Sequence, residues 1–249
     1  MAASNPTGNL FDEAVEVQAA EHLGTRYELI NPRSLTTMVR VFLDPGHPIR
    51  AVPGCMVAHS ESVNIQGKLK KSFKTMFGPD EARHQTMTAI EKPGWVLLAP
   101  GFYGDLRAVT LSGDMEVYIS DGSFLACTDG VTTTSVRQDV KKSMFSGSGL
   151  FVKKAKGNGV VFVGGVGSIM EWNLNKDQVL TVDNDHVVLW SKGIGYELTK
   201  ASAGLRSTAL SGEGMVSKFT GPGRVWCHAR NAAEIAKWVY STVPPAVGA

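Results

Sequence analysis

Two stretches of this chain follow one plan: FSGSGLFVKKAKGNGVVFV at 145–163 and LSGEGMVSKFTGPGRVWCH at 210–228. Each runs from an apolar residue through Ser-Gly-x-Gly, an alternating run, a second Gly-x-Gly and a further apolar run. Ser146 aligns with Ser211 and Gly149 with Gly214 at an offset of 65, and Gly157 with Gly221 and Gly159 with Gly223 at 64, so one deletion reconciles the copies. A third, more divergent copy emerges when IEKPGWVLLA (90–99) is laid on AKGNGVVFVG (155–164), which puts Gly94 on Gly159. The runs upstream repeat as well. LSGDMEVYISDGSFLACTDGV (111–131) lies over LNKDQVLTVDNDHVVLWSKGI (174–194) at an offset of 63, and PGHPIRAVPGCMVAHSESV (45–63) follows the same plan. A unit written three times folds as three similar units that cover one another's apolar faces.

The units span approximately 37–100, 104–165 and 167–230. Within each, alternating residues such as Val117 and Ile119, or Leu180 and Val182, lead to a polar turn and a second apolar run, which reads as strand, tight hairpin turn, strand. The expected class is all-β: three related antiparallel β repeats packed as one sandwich- or prism-like body with short flanking helices. GNG (157–159) and GPG (221–223) sit between strands on both sides, so they read as turns that need positive φ rather than as a phosphate cradle, which wants a helix to follow. A short helix is expected at 11–23, with Gly24 as its stop, inside an N-terminal extension of residues 1–30. The β-repeat domain covers 31–231, and a C-terminal helix and tail cover 232–249, with Asn231 as N-cap and Glu234 at the capping-box position. Both helices are expected to pack against the ends of the sheets.

Lys plus Arg number 25 against 23 Asp plus Glu, so a formal charge of only +2 gives no general attraction for nucleic acid. Cys55, Cys127 and Cys227 are odd in number and contain no CxxC, which fits buried, reduced thiols in a cytosol-like compartment. The first 25 residues carry four acids ahead of Arg26 and no apolar core, unlike a secretory signal or a mitochondrial presequence. A cytoplasmic location is therefore expected.

The run from SGSGLFVKKAKGNGVVFVGGVGSIMEW through VDNDHVVLW to SGEG and TGPGRVW, with APGFYGDL and DGSFLAC upstream, resembles the altered inheritance of mitochondria protein 24 family over roughly 35–231. The resemblance implies an all-β fold close to the tryptophan RNA-binding attenuator protein, a homotrimer, and no firm association with catalysis. The yeast mitochondrial member is linked to inner-membrane architecture, so the resemblance also offers a mitochondrial location as the alternative.

Candidate chemistry is sparse. Six histidines include no His-x-His, and the nearest ligand-like pair, His59 and Glu61, is of a kind expected by chance about half a time in such a composition. Cys227 and His228 are neighbours on a strand and point to opposite faces, and no G-x-S-x-G elbow occurs. Asp183 and Asp185 read as turn residues, and the five tryptophans as core or interface anchors. No catalytic residue, cofactor or metal is assigned.

One pattern recurs in all three units ahead of the glycine turns: GKLKKSFKTMFG (67–78), DVKKSMFSG (139–147) and GLRSTALSG (204–212). Basic and apolar residues interleave in each, and they give a candidate binding rim of Lys68, Lys70, Lys71, Phe73, Lys74, Phe77, Lys141, Lys142, Met144, Phe145, Leu205 and Arg206. That composition suits an anionic membrane surface, where lysines meet headgroups and Phe or Met inserts shallowly, or a protein partner, which includes a second subunit. The expected function is thus a non-enzymatic homo-oligomeric β scaffold that binds a protein partner or an anionic membrane. An RNA-binding module is the alternative, and a metal-dependent cupin-like enzyme ranks below it.

Overall fold

A computed structural model describes residues 15–69, 83–120, 122–137, 151–200 and 215–242. An N-terminal hairpin, β1 (Val17–His22) and β2 (Thr25–Ile30), precedes three sets of six strands. The first set is β3 (Met38–Leu43), β4 (Ile49–Ala51), β5 (Met56–His59), β6 (Val63–Leu69), β7 (Arg83–Ala89) and β8 (Gly94–Leu98). The second is β9 (Gly104–Leu111), β10 (Glu116–Ser120), β11 (Phe124–Thr128), β12 (Val131–Arg137), β13 (Phe151–Gly157) and β14 (Gly159–Val166). The third is β15 (Ile169–Leu174), β16 (Val179–Asp183), β17 (Val187–Ser191), β18 (Gly195–Lys200), β19 (Met215–Thr220) and β20 (Gly223–His228). A helix, α1 (Ala232–Thr242), follows.

The strands form four antiparallel sheets: layer I (β1-β2-β3-β8-β5), layer II (β6-β7-β4-β11-β14-β9), layer III (β12-β13-β10-β17-β20-β15) and layer IV (β16-β19-β18). Layers II and III each join half of one repeat to half of the next, because β4 pairs with β11 and β10 with β17. Three buried apolar clusters lie between successive layers. Val39, Val41, Val96 and Leu98 of layer I meet Ile49, Met87, Val160 and Phe162 of layer II. Leu111, Val161 and Val163 of layer II meet Val117, Ile119, Leu189 and Trp226 of layer III. Val152, Trp190, Val225 and Cys227 of layer III meet Phe219 of layer IV and Ile194 of the turn between β17 and β18. Successive residues of one strand point opposite ways, so Phe162 and Val161 serve different clusters and β14 is buried along its whole length.

Three expectations are corrected. The polar turns between alternating runs are not hairpins: β4 and β5, β10 and β11, and β16 and β17 lie in different layers, so each turn carries the chain across the stack. The glycine turns 157–159 and 221–223 also cross between layers, from β13 to β14 and from β19 to β20. Alternation specifies a face for each strand but not its partner, and the partner decides between hairpin and crossing. Second, residues 17–22 of the expected N-terminal helix form β1, while residues 1–14 lie outside the described chain. Leu23 and Gly24, with φ of 51° and 75°, form a two-residue turn of the type that joins hairpin strands, so Gly24 turns a hairpin rather than ending a helix. Third, α1 forms where expected, with the Asn231 side chain accepting from the Ala233 N–H at 2.8 Å, but none of its residues is buried. Ile235, Trp238 and Val239 are exposed.

The turn reading also leaves out what the recurrent glycines do. Gly94, Gly159 and Gly223 open β8, β14 and β20, and an added Cβ would fall 2.5 Å from Ser60 Oγ, 2.2 Å from Thr128 Oγ1 and 2.8 Å from Ser191 Oγ, respectively. In each repeat that hydroxyl accepts the N–H of the residue after the glycine: Trp95 to Ser60 at 3.0 Å, Val160 to Thr128 at 3.0 Å and Arg224 to Ser191 at 2.9 Å. The glycine is absent of side chain because the hydroxyl occupies that space. The ligand of this glycine motif is the protein's own Ser or Thr.

Candidate interaction rim

The three basic and apolar segments occupy one topological place. Each joins the far ends of a two-stranded antiparallel hairpin: β6 and β7 pair up to Leu69 and Arg83, β12 and β13 to Arg137 and Phe151, and β18 and β19 to Lys200 and Met215. These hairpins form one end of layers II, III and IV in turn. Of the candidate rim residues, Lys68 lies on β6 opposite His84. Lys70, Lys71, Phe73, Lys74, Phe77, Lys141, Lys142, Met144, Phe145, Leu205 and Arg206 lie outside the described residues.

Lys153 and Lys154 on the shaft of the β12-β13 hairpin, and Lys192 just beyond β17, make contacts within the fold. Lys154 of β13 reaches Glu116 of the adjacent β10 at 2.7 Å, and Lys192 approaches the same carboxylate at 3.4 Å. Burial pushes the Glu116 pKa up, yet hydrogen bonds from the two ammonium groups outweigh it and hold the carboxyl below its usual range. Lys153 Nζ lies 5.0 Å over the Phe124 ring. Lys154 thus ties β13 to the adjacent β10, and Lys153 reaches from layer III to layer II.

The other candidate groups take structural places. Cys55, Cys127 and Cys227 are free thiols, as expected, and burial pushes their pKa values up to about 11, 11 and 12. His59 ends β5, and Glu61 lies in the turn beyond it, so the alternation that would set the two on one strand face stops between them. Asp183 caps a single 3-10 turn (Asn184–His186), its side chain accepting from the Asp185 N–H at 2.9 Å. Trp190 and Trp226 are core residues, while Trp172 and Trp238 are exposed.

Sequence reasoning passed over two concave regions. A cavity of about 470 Å³ is lined by Phe102, Ser123, Asp185, Trp190, His228 and Asn231. There the His186 and His228 rings stack with centroids 5.6 Å apart, and His186 Nδ1 donates to the His228 carbonyl at 2.8 Å. Burial, with His186 adding to it, lowers the His228 pKa and keeps that ring neutral. A second groove, of about 750 Å³, lies between Leu35, Tyr103, Ile235 and Trp238. Its residues come from four distant stretches of chain, so no local pattern could have announced it. No described helix is long and apolar enough to cross a membrane.

Comparison with known proteins places this architecture. The model of the family described as Mitochondrial biogenesis AIM24 matches residues 28–230. An uncharacterised protein of Streptococcus pyogenes serotype M6 is 29% identical over 210 residues, which cover 80% of this chain and 84% of that protein. A crystal structure of a Streptococcus pyogenes protein superposes with a TM-score of 0.72 at 24% identity, covering 92% of this chain and all of the other.

Proposed function

We propose, from the premise that this chain belongs to the AIM24 mitochondrial biogenesis family, that it is a non-enzymatic, self-assembling β scaffold that presents its three hairpin ends to an anionic membrane surface. The observation that carries the reading is the recurrence of a basic and apolar segment at the same hairpin in every repeat. Such segments suit an anionic surface, where each basic residue near it contributes about 1 kcal/mol and a shallowly inserted apolar side chain adds burial. The thiol chemistry supports a non-enzymatic role: with pKa values raised to about 11 or 12, none of the three cysteines is a thiolate at neutral pH. The family resemblance favours three chains per assembly.

Flotation with vesicles of neutral or of anionic lipid tests this. Recovery with anionic vesicles only, lost when Lys70, Lys71, Lys141 and Lys142 are all changed to Gln in a variant of unchanged solution mass, is the expected result. No flotation with either lipid removes the membrane from the account and leaves the hairpin ends to a protein partner.

A further inference from the structure

The repeats are joined by one rule, applied twice. The second strand of a repeat pairs with the third strand of the next: β4 with β11, where Arg50 faces Cys127 and Ala51 faces Ala126, and β10 with β17, where Tyr118 faces Trp190 and Ile119 faces Leu189. The opposed side chains touch at both junctions, with Arg50 Nη2 3.6 Å from Cys127 Sγ and the Tyr118 and Trp190 rings stacked at 5.7 Å. The rule leaves two strands over. β16 is the second strand of the last repeat and β5 the third strand of the first; among the described residues each pairs on one side only, β16 with β19 and β5 with β8.

These two edges are built like the strands that do pair. β5, β11 and β17 share one irregularity, a register shift against β8, β14 and β20 that leaves Val57, Leu125 and Val188 as the extra residue. Leu125 and Val188 are 3% and 0% exposed, whereas Val57 is 54% exposed. On the other side, the pairing of β4, β10 and β16 with β7, β13 and β19 makes Leu180, Thr181 and Val182 the counterparts of Val117, Tyr118 and Ile119. Val117 and Ile119 are fully buried, while Leu180 and Val182 are half-buried and Val179 beside them is 54% exposed. Within one chain the two edges belong to layers I and IV, with layers II and III between them.

We propose that β16 of one chain pairs antiparallel with β5 of a second copy, so that layer IV of one and layer I of the next complete one antiparallel sheet drawn from two repeats, as layers II and III are. The internal junctions fix the register: Thr181 faces His59 and Val182 faces Ala58 of the neighbour. Each chain offers one edge of each kind, so the contact is head-to-tail, with assembly closing as a ring or extending as a chain, and it excludes a dimer that pairs like edges. The inference rests on the scaffold reading for its purpose, but its geometry stands apart from the membrane.

A double variant, Thr181→Cys with His59→Cys, tests the register under a mild oxidant at the concentration where the parent is assembled. Residues directly opposed on antiparallel strands stand about 4.5–5.5 Å apart at Cβ, close enough to link. Covalent dimers and higher species on a non-reducing gel, reversed by reductant and absent from either single variant, are the expected result. A disulfide formed within one chain, or none in a folded double variant of unchanged assembly mass, overturns the proposal. Should the double variant misfold, amide exchange on the parent decides instead: residues 180–182 and 57–59 exchange as slowly as 117–119 and 125–127 if the edges pair, and at least tenfold faster if they do not. Loss of the edge pairing with vesicle flotation intact removes this inference alone; intact cross-linking without flotation removes the membrane reading alone.

Discussion

The middle and the ends of the stack are made from the same parts and have different surroundings. Layers II and III hold six strands each, contributed by two repeats, and both faces of β14 are buried. Layers I and IV are what remains when the repeat begins and ends: layer I keeps its half and extends it with the β1-β2 hairpin, and layer IV has three strands. The same position is therefore core in one repeat and more open in another: Leu125 is buried and Val57 exposed, Ile119 buried and Val182 half-buried. Burial here is set by whether a neighbouring repeat exists, so the ends of the array are the places where a partner changes most.

The largest effects that separate middle from end come from truncation. Phe162, fully buried and in edge contact with the Tyr27 ring at 5.3 Å, is expected to cost about 3–5 kcal/mol on change to Ala, read as a lowered urea midpoint. Ile119→Ala is expected to cost about 2–5 kcal/mol, and Val182→Ala less than about 1 kcal/mol in the dissociated chain. Equal losses at those two positions in the dissociated chain would break the distinction between middle and end.

The hydroxyl device sharpens the comparison at a smaller scale. Thr128→Ala strips the buried Val160 N–H of its acceptor and is expected to cost about 1–3 kcal/mol; Ser60→Ala, at the more open end layer, about 1 kcal/mol or less. Denaturant melts of the two variants side by side check the order. Gly159→Ala belongs with Thr128, since its methyl would stand 2.2 Å from the same hydroxyl.

The pH response is smaller again. His228 has a folded pKa lowered from 6.5 by burial, so the unfolded chain takes up a proton that the folded chain refuses. Stability from this group is full above about pH 6.5 and falls as pH drops below it toward the folded value. Thermal midpoints at pH 7.5 and 5.5 are expected to differ less in His228→Gln than in the parent.

The repeat was legible because the glycine positions are fixed by close backbone approach, which tolerates little drift, and the strand faces were legible from alternation; the hydroxyls that meet those glycines were not read. Layer crossings were not, since β10 and β11 read alike whether they pair with each other or with distant strands. The N-terminal hairpin was missed because Phe11, Val15, Ala19 and Leu23 mimic a helical stripe, while the backbone bonds that make β1 a strand come from β2. The basic segments were found from composition alone. The open edges could not be, for a strand's lack of a partner has no local signature.

The most direct test of the incomplete end layers is the solution mass by light scattering across a dilution series, for the parent and for Val57→Lys with Val179→Lys. The account predicts a parent mass of two or more chains, reduced to one chain by the lysines with circular dichroism unchanged. A parent that stays at one chain throughout, or an assembly indifferent to both lysines, would contradict it.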